Sequence, residues 1–308
     1  MRKITLALFT LFGLAIHTTS SHAVTVVTTI KPLQLIANAL LPEPNQSVAL
    51  LPNGASPHDY QLRPSDLRRL NDADLVIWVG PTMESFLGKA LTSLPANVNL
   101  LQLSDTATPI NQGHHGEHGH GHGHGHGHGH GHGDEEAPHG DDNPHLWLDP
   151  EAAITIAGQI EQRLRQLDPD NAKHYREALA RFIAEVRATD QQLRAQLEPL
   201  AGRGYFVFHD AYAPFENHYG LNHLGAFTLS PERAPGARHL QAIRAELESA
   251  NAVCVFAEPQ FRSSLVTAVT DGLNVGRDEL DPLGADADSY PALLQNLAAA
   301  FGRCLTPG

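Results

Sequence analysis

Between residues 114 and 139 the chain carries eleven imidazoles: His114, His115, His118, His120, His122, His124, His126, His128, His130, His132 and His139, mostly alternating with glycine. Neutral imidazole is the commonest side-chain metal ligand, and Asp134, Glu135, Glu136, Asp141 and Asp142 follow close by. The run reads as a collector of divalent cations. It offers almost nothing apolar to bury, and alternating glycine leaves the backbone too free to hold a strand or helix, so a mobile loop that binds metal weakly and at several places is expected. A hydrophilic spacer is the plain alternative, although glycine and serine would make a simpler one. An expression tag would not sit inside the chain.

Four residues elsewhere could bind metal tightly: His58, His145, His209 and Asp281. Three imidazoles and a carboxylate suit a tetrahedral Zn²⁺ site, and the carboxylate place can be taken by water. Manganese, magnesium or calcium would call for more oxygen ligands. Taken singly, each histidine is more often a hydrogen-bonded structural residue. Asp281, before Pro282, could equally start a turn, and Asp149, before Pro150, reads as a helix N-cap. His174, His218, His223 and His239 lie on or at the ends of expected helices and are read as structural. His17 and His22 fall in an export signal.

The elements that position these residues alternate between strand and helix. Residues 24–30 read as a strand, then Lys31-Pro32 opens a helix through Leu41, and 46–51 is a short strand. Ser65 is expected to cap a helix ending at Leu70. Residues 74–79 (DLVIWV) form a buried strand, 84–94 a helix and 98–103 another strand. After the histidine loop, taken as 113–143, a helix runs from Pro150 to about Leu167, and a second of nearly thirty residues begins at Asp168-Pro169-Asp170. Beyond Gly202 strands at 205–209, 224–229, 252–257 and 274–280 alternate with helices at 214–219, 238–249, 263–273 and 290–304. Leu70, Ala73 and Val76 match Leu247, Ala250 and Val253 at a constant offset, a faint internal repeat. The expectation is an α/β protein of two similar lobes, 24–168 and 202–308. Each is a parallel sheet flanked by helices; one long rigid helix (169–201) joins them, and the metal sits in the cleft between them. In such sheets ligands lie beyond the carboxyl ends of the strands, where all four candidates fall.

Arg2 and Lys3, the apolar run 4–16 and the ending Ser21-His22-Ala23 read as a signal peptide cleaved after about Ala23, which places the mature chain in the periplasm. No lipobox cysteine follows the run, and no later stretch is long and apolar enough to span a bilayer. The net charge of −13 argues against nucleic acid or an anionic membrane as partner. Cys254 and Cys304, an even pair in an exported chain, are read first as a disulfide, and second as metal ligands that would need more thiolates.

Several segments together resemble the zinc-uptake periplasmic binding proteins of ZnuA type, in the metal-binding cluster of ABC-transporter solute receptors. They are Gly54-Ala55-Ser56-Pro57-His58-Asp59-Tyr60 with Leu62-Arg63-Pro64-Ser65-Asp66; His145-Leu146-Trp147-Leu148-Asp149-Pro150; Phe208-His209-Asp210-Ala211-Tyr212; Phe256-Ala257-Glu258-Pro259-Gln260-Phe261; and Leu280-Asp281-Pro282-Leu283-Gly284. The likeness covers essentially the whole mature chain. It implies zinc held between two lobes by His58, His145 and His209, delivery to an inner-membrane ABC permease, and no catalysis. One departure is Pro57, where well-known members place a glutamate before the first ligand, so Asp281 or a water is expected in the fourth position. Glu258 is expected near the cleft in support. A monomer is expected, with other periplasmic zinc carriers as further partners.

Two other functions compete with a receptor. A storage or metal-chaperone protein would act mainly through the histidine loop. A zinc hydrolase lacks support, since the chain has neither a His-Glu-x-x-His helix nor a Gly-x-Ser-x-Gly elbow.

Overall fold

The computed structural model describes residues 24–104, 143–228, 231 and 235–306. The expected signal peptide and, apart from Asn143, the expected histidine loop lie outside the described residues. Two four-stranded sheets, all parallel, share one strand order. The first sheet runs β2-β1-β3-β4, from Val26–Thr28 (β1), Val48–Ala49 (β2), Leu75–Trp78 (β3) and Asn99–Gln102 (β4). The second runs β6-β5-β7-β8, from Tyr205–His209 (β5), His223–Thr228 (β6), Cys254–Ala257 (β7) and Gly276–Glu279 (β8). This shared order is what the faint repeat reflects. The repeat residues Leu70 and Leu247 each end a helix, Pro64–Asn71 (α2) and Ala237–Ser249 (α7), that feeds the buried third strand of its sheet.

The strands are buried on both faces, as parallel crossovers demand: Leu75–Trp78 and Cys254–Ala257 carry no exposed residue. Lys31–Asn38 (α1) and Gly88–Leu91 (α3) complete the first lobe; Ala213–Tyr219 (α6), Ser264–Thr270 (α8) and Tyr290–Leu305 (α9) complete the second. Between the sheets lie Pro150–Leu167 (α4) and Ala172–Leu197 (α5). At 26 residues α5 is about 39 Å long. It buries Tyr175, Ala178, Phe182, Val186, Thr189, Leu193 and Leu197 at three- and four-residue spacing, packing against α4 and α9. One apolar core runs through both lobes by way of these helices, and a smaller one fills the outer face of the second sheet under α7 and α8.

Local chemistry explains where elements begin and end. Asp149 caps α4, its Oδ1 accepting from the backbone N–H of Glu151 (2.8 Å), with Pro150 as the first helical residue. Two expectations are corrected. Ser65 is not the cap of α2: the N-cap is Arg63, Pro64 begins the helix, and buried Asp66 accepts from Arg63 N–H at 2.8 Å. The helix expected over 84–94 is reduced to a 3-10 turn, Ser85–Leu87, running into the four-residue α3. Glu84 is drawn inward by the N–H groups of Val79 and Gly80, while the Thr92 and Ser93 hydroxyls bond back to Lys89 O and end the helix. The Cys254–Cys304 disulfide joins β7 to α9, with Cα atoms 5.9 Å apart. No helix of the described residues is long and apolar enough to cross a membrane.

Candidate metal centre

In each sheet the strand order reverses between the first and third strands, and a crevice opens beyond their carboxyl ends. In the second lobe this crevice holds a pair: His209 is the last residue of β5, and Glu258 follows the last residue of β7. Both are buried. One carboxylate oxygen, Glu258 Oε1, accepts from the His209 backbone N–H at 3.2 Å and lies 2.6 Å from its Nδ1. That contact places the ring proton on Nδ1 and leaves Nε2 as a free donor of electrons.

His145 reaches the same place from the first lobe. It precedes the 3-10 turn Leu146–Leu148, and its Nδ1 lies 2.8 Å from Asn143 Oδ1, which fixes the tautomer in the same way. The turn is strapped to the opposite lobe. Trp147 Nε1 donates to Pro282 O at 2.7 Å, and Tyr290 OH donates to Trp147 O at 2.8 Å. His58 enters from the loop after β2, where its backbone N–H donates to Ser56 Oγ (3.2 Å). Its ring stands 5.4 Å from that of His145 and 5.5 Å from that of His209, centre to centre.

The three rings converge so that one ligating atom from each lies within 4.8 Å of the others. His145 Nε2 and His209 Nε2 are 3.3 Å apart. Two nitrogens each bonded to zinc at about 2.05 Å with a tetrahedral angle are about 3.3 Å apart, so this edge of the site already has the required length. Burial, and then the neighbouring His209 and His58, push the His145 pKa well below its usual 6.5, so it is held in the neutral form that binds metal. Burial likewise raises Glu258, against the pull of His209.

Asp281 is not brought into this group. Its Oδ1 accepts from Gln260 Nε2 (2.7 Å) and Leu283 N–H (3.0 Å), and its Oδ2 from Ala285 N–H (2.5 Å). The loop it braces touches the first lobe, where Lys31 Nζ and Asn53 Nδ2 donate to Ala285 O at 2.5 and 3.3 Å. Asn143, whose side chain also donates to Asp210 O (2.8 Å), was not singled out from the sequence. An amide at two residues before His145 was the available signal. Of the remaining histidines, His218 contacts Asp190 (2.7 Å) and Asp149 (3.4 Å), and His239 pairs with Phe227 O (2.8 Å). Both are structural as expected.

The family model for ZnuA, "Zinc-uptake complex component A periplasmic", matches residues 26–304. The chain belongs to the ZnuA family. Among its ZnuA relatives is the high-affinity zinc uptake system protein ZnuA of Yersinia pestis, 45% identical over 295 residues and aligned over 91% of each chain. The Haemophilus ducreyi protein of the same name is 42% identical over 289 residues, covering 91% of this chain and 93% of that one. A crystal structure of ZnuA superposes with a TM-score of 0.76 at 26% identity, covering 92% of this chain and all of the other. The ZnuA family is one of periplasmic binding components rather than enzymes.

Proposed function

We propose that this chain is the periplasmic receptor of a zinc importer: it captures Zn²⁺ between its lobes and hands it to an inner-membrane ABC permease. The observation that carries the reading is the pair of tautomer-locked Nε2 atoms of His145 and His209, 3.3 Å apart, with His58 beside them. Two acceptor nitrogens that close repel unless a cation lies between them. His58, His145 and His209 are the three ligands. Water takes the fourth position, because both oxygens of Asp281 are already committed to its own loop and to Gln260, and Pro57 offers no carboxylate. The imidazoles from His114 to His139 bind further zinc weakly, since ordering them costs entropy that a rigid site avoids. They end six residues before His145 and so concentrate zinc beside it, or receive it from other periplasmic carriers. The mature receptor, from about residue 24, works as a monomer.

Isothermal titration with Zn²⁺ tests this. Deleting residues 114–139 leaves one tight phase in a receptor, whereas a storage protein acting through the loop loses nearly all its capacity. His58→Ala, His145→Ala and His209→Ala should each abolish that phase; if it survives all three, the site is wrongly placed.

A further inference from the structure

The cavity shared by His58, His145 and His209 is also walled by Glu258 and Gln260. Glu258 commits Oε1 to His209, while its Oε2 is shut off from solvent and has no hydrogen-bond partner among the described residues. Gln260 stands two residues further on, in the turn that Phe261 N–H closes on Glu258 O (3.2 Å). The amide of Gln260 faces Asp281 Oδ1 at 2.7 Å, an oxygen that already accepts from Leu283 N–H. The amide nitrogen must therefore be the atom on that side, because a second oxygen there would repel the carboxylate. That orientation leaves Oε1 as the other end of the amide, again buried and without a hydrogen-bond partner among the described residues. Leaving buried polar atoms unpaired costs about 1–3 kcal/mol each, so one cavity walled by two such acceptors calls for a donor with two protons.

We propose that Gln260 is a positioning residue for the captured zinc: together with Glu258 Oε2 it holds the water that completes the tetrahedron. This deepens the receptor reading and rests on it. A water bound to zinc gives the metal one lone pair and keeps two O–H groups, the number that the two oxygens take up. Asp281 then acts through Gln260, aiming the amide by its nitrogen while its remaining bonds brace the loop. The arrangement bears on selectivity as well. A cation that needs six ligands would bring three waters, and two of them would lie against the apolar side chains of Pro57, Phe261 and Leu283.

The test uses the mature chain. In crystals with zinc bound, a water oxygen should lie about 2.1 Å from the metal and about 2.5–3.0 Å from Gln260 Oε1. A Gln260 oxygen turned away from that water, or a side chain of the protein in the fourth position, overturns the proposal and leaves the receptor reading intact. Zinc lying away from the three histidines overturns both. In solution, cobalt in place of zinc allows thiocyanate to be followed by visible absorption as it displaces the water. Thiocyanate brings no protons, so Gln260 and Glu258 reject it in the unaltered chain. Gln260→Met, similar in size but without the acceptor, should bind thiocyanate about tenfold more tightly and zinc about tenfold more weakly. A side chain that only fills space would leave thiocyanate binding unchanged, which overturns the proposal; the crystal decides if the variant fails to fold.

Discussion

His145 and His209 face each other through their Nε2 atoms across 3.3 Å, and each has its Nδ1 tied to an oxygen, of Asn143 and of Glu258. One ring comes from the end of a long connection in the first lobe, the other from the end of β5 in the second. That spacing is the edge length of a tetrahedral zinc site, so these two rings are placed to hold the metal with little rearrangement.

The oxygens behind the rings carry part of the affinity. Glu258→Gln keeps the shape but weakens the acceptor that holds His209 Nδ1–H, and should lower zinc affinity by roughly 10–100-fold. Competition with a zinc chelator measures this, with circular dichroism to show that the fold is intact. An affinity equal to that of the unaltered chain would mean that Glu258 only fills space.

Proton competition should be weak at His145. Its pKa is lowered by burial first and by His209 and His58 second, so protonation in the folded chain sets in only well below pH 6.5. The unfolded chain takes up that proton at about 6.5, so the contribution to stability is present above this value and is lost as pH falls below it. Nitrogen chemical shifts of the His145 ring in the zinc-free chain should keep the neutral Nδ1–H pattern through pH 6.5. A titration centred there would contradict it.

Glu84 gives the opposite sign. At the switch point of the first sheet its Oε2 accepts from the Val79 and Gly80 N–H groups, yet burial outweighs these bonds and the Thr29 contact and pushes its pKa up to about 7. A carboxyl held above its unfolded value of 4.5 stabilises the fold fully below 4.5 and loses that advantage as pH rises to about 7. The fall is about 3 kcal/mol. Glu84→Gln should flatten it, which denaturant unfolding from pH 4.5 to 8 will show as a difference between the two chains that grows with pH. Gly80, with φ of 151°, brings its N–H to Glu84 where a Cβ would meet Ser104 Oγ.

Asp281→Ala separates a ligand from a loop brace. The number of light atoms around zinc, read by X-ray absorption, should not change, while lobe contact through Lys31 and Ala285 is lost and zinc dissociates faster. One fewer scatterer would make Asp281 a ligand.

The disulfide closes a separation of 50 residues and ties a strand of the second sheet to the last helix. Reduction should cost about 4 kcal/mol in the chain-entropy account, seen as a lower unfolding midpoint with unchanged zinc stoichiometry.

Much of this was legible from the chain. The periodicity of β5 and α4 and the Asp149-Pro150 cap gave their elements within a residue or two, because hydrophobic pattern and capping chemistry agree there. The strand-end rule picks out His58, His145 and His209, and the fold brings their rings together. What it missed depended on contacts between distant segments. Nothing near Glu84 announces that two backbone N–H groups will draw it inward and shorten the helix. Asp281 lies where a ligand was expected, but its carboxylate answers to the turn that follows it.

The hydrogen bond from Trp147 to Pro282 and the core shared across α4, α5 and α9 have a kinetic consequence. Swinging the lobes apart as rigid jaws would expose apolar surface throughout that core, at about 25 cal/mol for each Å². Lifting the short loop from Leu280 to Ala285 exposes far less. Residence time of the cargo is then governed by that loop, and a membrane partner that pulls on it could discharge the metal without opening the molecule.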